Sequence, residues 1–444
     1  MKTPIADFIE AYADSETSRF HMPGHKGKLF AGLEEYDITE IKGADVLSHS
    51  SGIIAESEKN AASLFGCGYT FFGTEGSTQI IKAMLMLIKS HKSGASPIIL
   101  AARNAHKAFI YGCAMLGLEP EWIYPKAFSH LTACPITAEE IEKKLSEMEE
   151  KPAAVFITSP DYLGNIADIK GIAEVCKKSD IPLLVDNAHG AYLSFLSPSG
   201  HPIALGAAMC CDSAHKTLPA LTGAAYLHIS EGYKALAHGA RSALATFSST
   251  SPSYLTLRSL DLLNAYLADD FPKELSECIK KIDALKLRLA SFGIEPEKTE
   301  PLKITINAHR SGLRGNEIED ILRENGIEAE FCDDEYIVLM ASPKNTQEDF
   351  DKLSKAFEKI SPKSPIISAP VSFQPAKKIM SLREALLSPF ERLPIEKAQG
   401  RICAMPSVSC PPAVPIVISG ELIEERHIAE FKRYGIESVD VVIN

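Results

Sequence analysis

The feature that most constrains the fold is an alternation of short apolar runs with amphipathic helical patterns between Tyr69 and Tyr226. Short apolar strands separated by such helices are typical of βαβ units, which form a mostly parallel sheet covered on both faces. Ligands of such sheets bind at the carboxyl ends of the strands. The predicted strands are 69–72, 97–101, 120–124, 153–158, 182–186, 207–211 and 224–228. The predicted helices between them are 77–90, 104–116, 137–148 and 169–178.

A second, smaller α/β unit follows this alternation. Its predicted helices are 253–268, 275–290, 316–325 and 347–360, and its predicted strands are 302–306, 327–332 and 336–341. The Pro- and Ser-rich SPKSPIISAP, which begins at Ser361, indicates a linker, and the proline-dense tail beyond it is predicted to be irregular. The predicted division is an N-terminal segment (1–45), a major domain (46–270), a small α/β domain (271–362) and a C-terminal segment (363–444).

The charge balance argues against several classes of partner. The 444 residues carry 58 Asp and Glu against 46 Lys and Arg, a net charge of −12 without a basic stripe, so nucleic acid and anionic membranes are disfavoured. Two uncharged stretches, Asn187–Cys211 and Ile402–Gly420, contain prolines and are not predicted to span a membrane. The N-terminus lacks a signal-peptide apolar core, and the ten cysteines include no CxxC, which indicates reduced thiols in the cytoplasm.

The first of three polar clusters, Gly73-Thr-Glu-Gly-Ser-Thr78, lies between a predicted strand and a predicted helix. Ser77 or Thr78 is predicted to cap the helix, and Gly76 lets a ligand approach the backbone, so that free N–H groups can bind a phosphate. It is not a nucleotide P-loop, because no GKS or GKT follows. An ordinary helix cap beside a glycine turn explains the same pattern without a ligand.

The second cluster, Val185-Asp-Asn-Ala-His-Gly190, ends another predicted strand. Asp186 at the carboxyl end of this strand can pair with a protonated ring nitrogen or bind a metal. The small residue Ala188 leaves room for a flat ligand. A turn-forming Asp186 and a hydrogen-bonded structural His189 are the alternatives.

The third cluster, Asp212-Ser-Ala-His-Lys-Thr217, again follows an apolar run. Lys216 is expected to be partly buried, and burial favours the neutral amine that a Schiff-base nucleophile requires. Ser213 and His215 can supply further hydrogen bonds to a phosphate. The alternative is an ordinary surface lysine after a strand.

The order of the three clusters is more informative than any one of them. A phosphate loop, a strand-end Asp and Ser-x-His-Lys follow one another as in fold-type I pyridoxal phosphate enzymes. In these enzymes the protein holds the ring, binds the phosphate and pairs an acid with the pyridine nitrogen. We therefore predict an α/β chain with a fold-type I transferase-like major domain, pyridoxal 5'-phosphate as the cofactor, and no metal.

The chain resembles the Orn/Lys/Arg decarboxylase family of bacterial amino-acid decarboxylases, in its short form without the N-terminal wing domain. The matching stretches cover nearly the whole chain, and the RNxHK and SxHK elements together are specific to the family. These stretches are FHMPGHKGK (20–28), FFGTEGST (71–78), ARNAHKAF (102–109), ITSPDYLGNIADI (157–169), VDNAHGAY (185–192), SAHKTLPALTG (213–223) and GRICAMPSVSCPPAVPIVISGE (400–421). The resemblance implies that 46–270 is the cofactor-binding major domain and that 363–444 is the C-terminal decarboxylase-family domain.

Carried over residue by residue, the resemblance implies catalytic roles for Lys216, Asp186 and His106. Lys216 would hold the cofactor as a Schiff base, Asp186 would keep the pyridine nitrogen protonated, and His106 would stack on one ring face, opposite Ala188. The implied cofactor-binding residues are Gly76, Ser77, Thr78, His106, Asp186, Ala188, His189, Ser213, His215 and Lys216. Taken alone, His106 is typical of a surface histidine at a helix N-terminus.

The sequence departs from the family pattern in three places. Glu75 stands where the family usually has Asn, which puts a negative charge near the expected phosphate unless its side chain turns away. The tail sequence CPPAVP (410–415) and the segment 43–52 also differ from the usual patterns. If the 43–52 segment lines the substrate pocket, specificity can differ from that of well-known members. Asp45, Glu40 and Asp161 are carboxylates compatible with a cationic substrate.

The resemblance implies decarboxylation of lysine, arginine or ornithine to the corresponding amine and CO2, with a role in polyamine biosynthesis. The alternatives are another pyridoxal phosphate reaction at Cα or Cβ, such as aldol cleavage or elimination, and a non-catalytic pyridoxal phosphate-binding protein. Fold-type I enzymes build each site at a subunit interface, so a homodimer or higher homo-oligomer is expected. The expected partner is a small amino-acid substrate, with neither nucleic acid nor membrane.

Overall fold

The computed structural model of the chain describes residues 1–28, 30–91, 96–125, 130–133, 135–367, 374–406 and 413–443. It divides into two compact units. The first comprises Met1–Ser96, Pro152–Ile157 and Ile169–Lys273, and the second comprises Pro97–Lys151, Thr158–Asp168 and Glu274–Asn444. The predicted boundaries at 45, 270 and 362 stay predictions. Cys410, Pro411 and Pro412 of the departing tail sequence lie outside the described residues.

The predicted alternation of strands and helices is present. The strands are β1 (Tyr69–Gly73), β2 (Ile98–Ala102), β3 (Glu119–Ile123), β4 (Ala154–Thr158), β5 (Leu183–Asp186), β6 (Met209–Asp212), β7 (Ala225–Ile229), β8 (Lys303–Asn307), β9 (Phe331–Cys332), β10 (Tyr336–Met340), β11 (Phe390–Pro394), β12 (Cys403–Met405) and β13 (Ser438–Val442). The helices are α1 (Pro4–Ala13), α2 (Ile53–Phe65), α3 (Gly76–His91), α4 (Lys107–Leu116), α5 (Ala138–Glu147), α6 (Ile169–Lys178), α7 (Ala214–Thr217), α8 (Lys234–Thr246), α9 (Tyr254–Ala268), α10 (Phe271–Ser291), α11 (Gly315–Glu324), α12 (Gln347–Phe357), α13 (Leu382–Leu387) and α14 (Glu425–Arg433).

The strands of the first unit run in the order β1-β7-β6-β5-β4. β5 and β6 are parallel, whereas β7 is antiparallel to both of its neighbours, β6 and β1. β1, β5 and β6 therefore run in one direction, and β5 and β6 end at the same edge of the sheet. This edge carries the residues that follow Asp186 and Asp212. The predicted fold class, an α/β chain with a mostly parallel sheet, is confirmed.

Helix α6 shows why the segments between the strands are helices. Its buried side chains recur at the three- and four-residue spacing of one helix face, and its lysines are exposed. The buried members are Ile169, Ile172, Ala173, Val175 and Cys176. Such a helix is stable because its apolar stripe is removed from water, at roughly 25 cal/mol per Å² of apolar area.

Helix α1 is anchored by a buried carboxylate. The backbone N–H groups of Ile5 and Ala6, in the first turn of α1, donate to Asp261 Oδ2 over 2.8 and 2.9 Å. Ser57 donates to Asp261 Oδ1. Burial raises the pKa of Asp261. These bonds satisfy N–H groups that have no acceptor inside the helix.

The second unit contains the parallel pair β2–β3 and two antiparallel three-stranded sheets, β8-β10-β9 and β11-β13-β12. The prediction of an irregular tail was wrong, because this segment forms β11, β12, β13 and α14. The sequence pattern does not reveal these strands, because β11 is largely exposed and has no buried apolar run, and because an irregularity separates Cys403 from Met405 in β12. The strand predicted over 327–332 is also shorter, since only Phe331–Cys332 pairs.

Among the described residues, no helix is both long and apolar enough to cross a membrane. The eight cysteines that the structure describes form no disulfide.

Candidate active site

Asp186 is the last residue of β5, and its side chain is 4% exposed. Its Oδ1 atom accepts hydrogen bonds from the backbone N–H of Ala188 over 3.2 Å and from the thiol of Cys211 over 3.3 Å. Burial raises the pKa of Asp186, and the nearby Lys216 opposes that rise. A buried carboxyl group of this kind is stabilised as an anion by a cationic partner.

Lys216 lies on the one-turn helix α7, which follows β6. Its Nζ atom is 3.0 Å from Nε2 of His189, and His189 is 5% exposed. The prediction that Lys216 is partly buried was wrong, since its side chain is exposed in the single chain while its neighbours Ala214 and Thr217 are buried. The reason is that α7 lies at the carboxyl edge of the sheet, where the lysine points away from the core.

The predicted phosphate loop opens directly into helix α3. Ser77 and Thr78 lie in the first turn of α3 instead of capping it, because the helix begins at Gly76, one residue earlier than expected. Gly76 has φ +70°, a conformation that favours glycine, and its N–H donates to Gly223 O over 2.8 Å. Ser77 is half-buried and Thr78 is exposed, so both hydroxyls are accessible at a helix N-terminus. Glu75 is exposed.

Ser213 and His215 bring a second element to this loop. Ser213 is completely buried, and its Oγ atom has no hydrogen-bond partner among the described residues. His215 Nδ1 donates to Ala224 O over 2.9 Å, and a Cβ atom added at Gly76 would lie 4.0 Å from His215 Cε1. Burial lowers the pKa of His215, and the charge of Lys216 acts in the same direction. The imidazole is therefore favoured as the neutral form until an anion approaches.

Behind Asp186 and Ser213 lies a buried polar group that the sequence did not predict. Asp212 Oδ1 accepts from Asn187 Nδ2 over 2.7 Å, and Asp212 Oδ2 is 3.0 Å from His201 Nε2 and 3.4 Å from His228 Nε2. His228 Nδ1 is 2.8 Å from Thr70 Oγ1. Burial alone would raise the pKa of Asp212, but the two histidines hold it well below its usual range. This group joins the residue after Asp186 to the residue before Ser213.

We expect this group to make the folded protein less stable in acid, and the sign of the effect follows from His228. Burial lowers the pKa of His228 below its ordinary value of 6.5, so the unfolded chain binds this proton more readily. The stabilisation is present above pH 6.5 and is lost as the pH falls toward the pKa of the folded state, at up to about 1.4 kcal/mol per pH unit. Urea unfolding at pH 7, 6 and 5 measures the slope.

The variant His228→Gln should unfold with a smaller pH slope than the wild type, because the titrating ring is gone. The exposed histidine of α8, His238, provides the control, and His238→Gln should keep the slope of the wild type. Equal slopes for the wild type and His228→Gln would contradict this account.

His106 lies in the second unit, where it is the N-cap residue of α4 and is partly buried. Its Nδ1 atom accepts from the N–H of Ala108 over 3.1 Å. The adjacent Arg103 is 2% exposed and donates to the backbone oxygens of Pro415 and Ile416. Within this unit, the ARNAHK sequence (102–107) is therefore hydrogen-bonded to the C-terminal segment.

The three carboxylates considered for a cationic substrate differ in their surroundings. Asp45 accepts hydrogen bonds from the backbone N–H groups of residues 46, 51, 52 and 54, and Asp161 is held by Asn165. Glu40 lines a cavity of about 200 Å³ in the first unit, together with the segment 46–49 and the ion pair Glu58–Arg241. The segment 43–52, which departs from the family pattern, therefore contributes residues to the lining of this cavity.

The comparisons with known proteins decide the family. The sequence profile of the Orn/Lys/Arg decarboxylase major domain matches residues 3–304, and that of the C-terminal domain of the same family matches residues 373–435. The chain belongs to the Orn/Lys/Arg decarboxylase family. Members of this family are amino-acid decarboxylases, so the chain is a carboxy-lyase by family.

Individual relatives of the Orn/Lys/Arg decarboxylase family match over nearly the whole chain. The uncharacterized protein YaaO of Bacillus subtilis is 28% identical over 460 residues, which are 98% of this chain and 94% of the relative. An arginine decarboxylase of the same organism is 30% identical over 461 residues, 96% of this chain and 92% of the relative. A lysine decarboxylase of Francisella novicida has the same fold, with a TM-score of 0.81, 15% identity, and coverage of 99% of this chain and 81% of that chain.

Sequence reasoning gave no role to five residues near this decarboxylase site: Cys211, Asn187, Asp212, His201 and His228. The signal for Cys211 and Asp212 was their position at the end of a buried strand, next to the Ser-x-His-Lys element. Asn187 belongs to the Val185–Gly190 cluster but was given no role there, and His201 falls in an uncharged stretch that was considered only as a membrane span. No local pattern marks His228, because its partners are distant in sequence.

Proposed function

We propose that this decarboxylase-family chain uses pyridoxal 5'-phosphate to decarboxylate a basic amino acid: arginine, lysine or ornithine. The observation that carries the proposal is the placement of Asp186 at the end of β5 and of Lys216 after β6, the adjacent parallel strand. A helix N-terminus and Ser213 are available there for a phosphate. These are the groups that the protein contributes in such enzymes.

The residues present fit a phosphate monoester joined to a protonated ring. At the phosphate end, Ser213 offers a buried hydroxyl without a partner among the described residues, and Ser77 and Thr78 offer accessible hydroxyls. Helix α3 offers the N–H groups of its first turn. A dianion there would favour protonation of His215 Nε2, since Nδ1 already donates to Ala224 O. At the ring end, Asp186 offers Oδ2, because Oδ1 is already bonded.

When bound, pyridoxal 5'-phosphate supplies an aldehyde that condenses with amines and a ring that accepts the electron pair left when CO2 departs. Asp186 Oδ2 would hold the proton on the ring nitrogen, and its negative charge would keep that proton in place. Lys216 Nζ and His189 Nε2, 3.0 Å apart, are within reach for proton transfer. His189 Nε2 would therefore accept a proton from Lys216 Nζ and later return it to the same atom. By family resemblance, Ala188 would lie against one face of the ring.

Arginine is the first substrate to test. A relative with a named activity, an arginine decarboxylase of Bacillus subtilis, is 30% identical over 96% of this chain. The lysine decarboxylase of Francisella novicida supports only the fold, at 15% identity. Homo-oligomer formation, a cytoplasmic location and a role in polyamine biosynthesis remain predictions of this proposal.

The test is CO2 release from arginine, lysine and ornithine in parallel, by the purified protein with added pyridoxal 5'-phosphate. Lys216→Ala serves as the blank. We expect release from one of the three substrates, arginine first, and no release by the blank.

Other products would redirect the proposal. A keto acid or an aldehyde, formed without CO2, would favour a different reaction at Cα or Cβ on the same scaffold. If Lys216→Ala kept full cellular function, the non-catalytic alternative would be favoured.

A further inference from the structure

The two oxygens of the Asp186 carboxylate are in different surroundings. Oδ1 accepts two hydrogen bonds, from Ala188 N and Cys211 Sγ, whereas Oδ2 accepts none among the described residues. The N–H of Ala188 comes from the turn that follows β5 and is fixed by the backbone. The thiol of Cys211 is therefore the side chain that sets how this carboxylate is turned.

Cys211 is placed by the pairing of the two strands. β5 and β6 are parallel, with Asp186 and Cys211 as register partners. Because successive side chains of a strand alternate between faces, Cys211 points to Asp186, and its neighbour Cys210 lies near His201 and Asp212 instead. Cys211 is 0% exposed, so water does not compete for the carboxylate at this position.

The thiol keeps its proton at this position. Burial raises the pKa of Cys211 well above its ordinary range, and the neighbouring Asp186 raises it further. A neutral thiol is a weak donor, and an ionised carboxylate accepts hydrogen bonds but does not donate them. The direction of the bond is thereby fixed from Cys211 to Asp186.

We propose that Cys211 is a positioning residue that holds Asp186 Oδ1 and so leaves Oδ2 directed to the ring nitrogen of pyridoxal 5'-phosphate. The inference rests on the proposed function, because it requires that this cofactor binds at Asp186. Without the thiol, only the N–H of Ala188 holds Oδ1, so the carboxylate is less firmly oriented although it keeps its charge.

The test compares Cys211→Thr with Cys211→Val. The two side chains have nearly the same shape and both suit a strand, but only threonine carries a donor. The readout is the dissociation constant of pyridoxal 5'-phosphate, from absorbance titration of the cofactor-free protein, with the pH titration of the bound cofactor's absorption band as a second readout. We expect Cys211→Thr to bind within about threefold of the wild type and Cys211→Val at least about fivefold more weakly than Cys211→Thr.

The same pair of substitutions at Cys176, a buried cysteine of α6, controls for packing, and there the two variants should bind the cofactor equally. If neither Cys211 variant folds, Cys211→Ser and Cys211→Ala give the same comparison with smaller side chains. The role of Cys211 would be overturned if Cys211→Thr and Cys211→Val bound the cofactor with equal affinity and if the absorption band of the bound cofactor titrated as in the wild type. A wild-type protein that does not bind the cofactor would instead overturn the proposed function.

Discussion

Replacing Lys216 with alanine is expected to lower CO2 release by at least about 1,000-fold, within the range that positioned proton transfer and covalent catalysis contribute. The variant loses the amine that would join the cofactor and the Nζ atom that lies 3.0 Å from His189. Because Lys216 is exposed, its removal leaves no cavity in the core, and the protein should unfold at nearly the same urea concentration as the wild type. Initial rates with the preferred substrate measure the effect.

A matched control is Lys234→Ala, which removes another exposed lysine of the first unit, from the start of α8. It should keep wild-type activity. Added methylamine is a further check, since a free amine can replace part of the lysine's proton transfer and should raise the rate of Lys216→Ala only. If Lys216→Ala retained more than about a tenth of wild-type activity, Lys216 would not be the essential amine.

Asp186→Asn is expected to lower the decarboxylation rate by about 100-fold, because a hydrogen bond to a charged group is worth up to about 3 kcal/mol and 1.36 kcal/mol is tenfold in rate. The amide is nearly the same size as the carboxylate but carries no charge. It therefore cannot hold a proton on a ring nitrogen, although it can still accept from Ala188 N and Cys211 Sγ. The measurement is kcat together with the absorption spectrum of the bound cofactor.

The control for this change is Asp261→Asn, also a buried aspartate of the first unit, which accepts from the backbone of α1. It should reduce stability, through weaker anchoring of α1, and leave kcat within a few-fold. A loss of activity of the same size in both variants would mean that Asp186 acts through the fold alone. A wild-type kcat in Asp186→Asn, with a normal spectrum, would remove Asp186 from the proposed mechanism.

Much of the architecture could be predicted from the sequence. The seven strands and four of the five helices between residues 69 and 229 were located to within two or three residues; the one-turn helix α7 was not predicted. Buried parallel strands are short apolar runs, and the longer helices between them carry a clear amphipathic repeat. Asp186 and Lys216 were proposed as candidate site residues for the same reason, since each follows such a run. The strands of the tail were missed because β11 is short and largely exposed, and because β12 is only three residues long and pairs with an irregular register.

The sequence by itself determined the fold class, the family resemblance and the order of the candidate residues, because these depend on local patterns along the chain. Only the tertiary structure decided which groups meet. The exposure of Lys216, its contact with His189, the pairing of Cys211 with Asp186 and the buried group around Asp212 all join residues from different segments. The physical reason is that burial and hydrogen-bond geometry are set by strand register and packing, to which residues distant in sequence contribute equally.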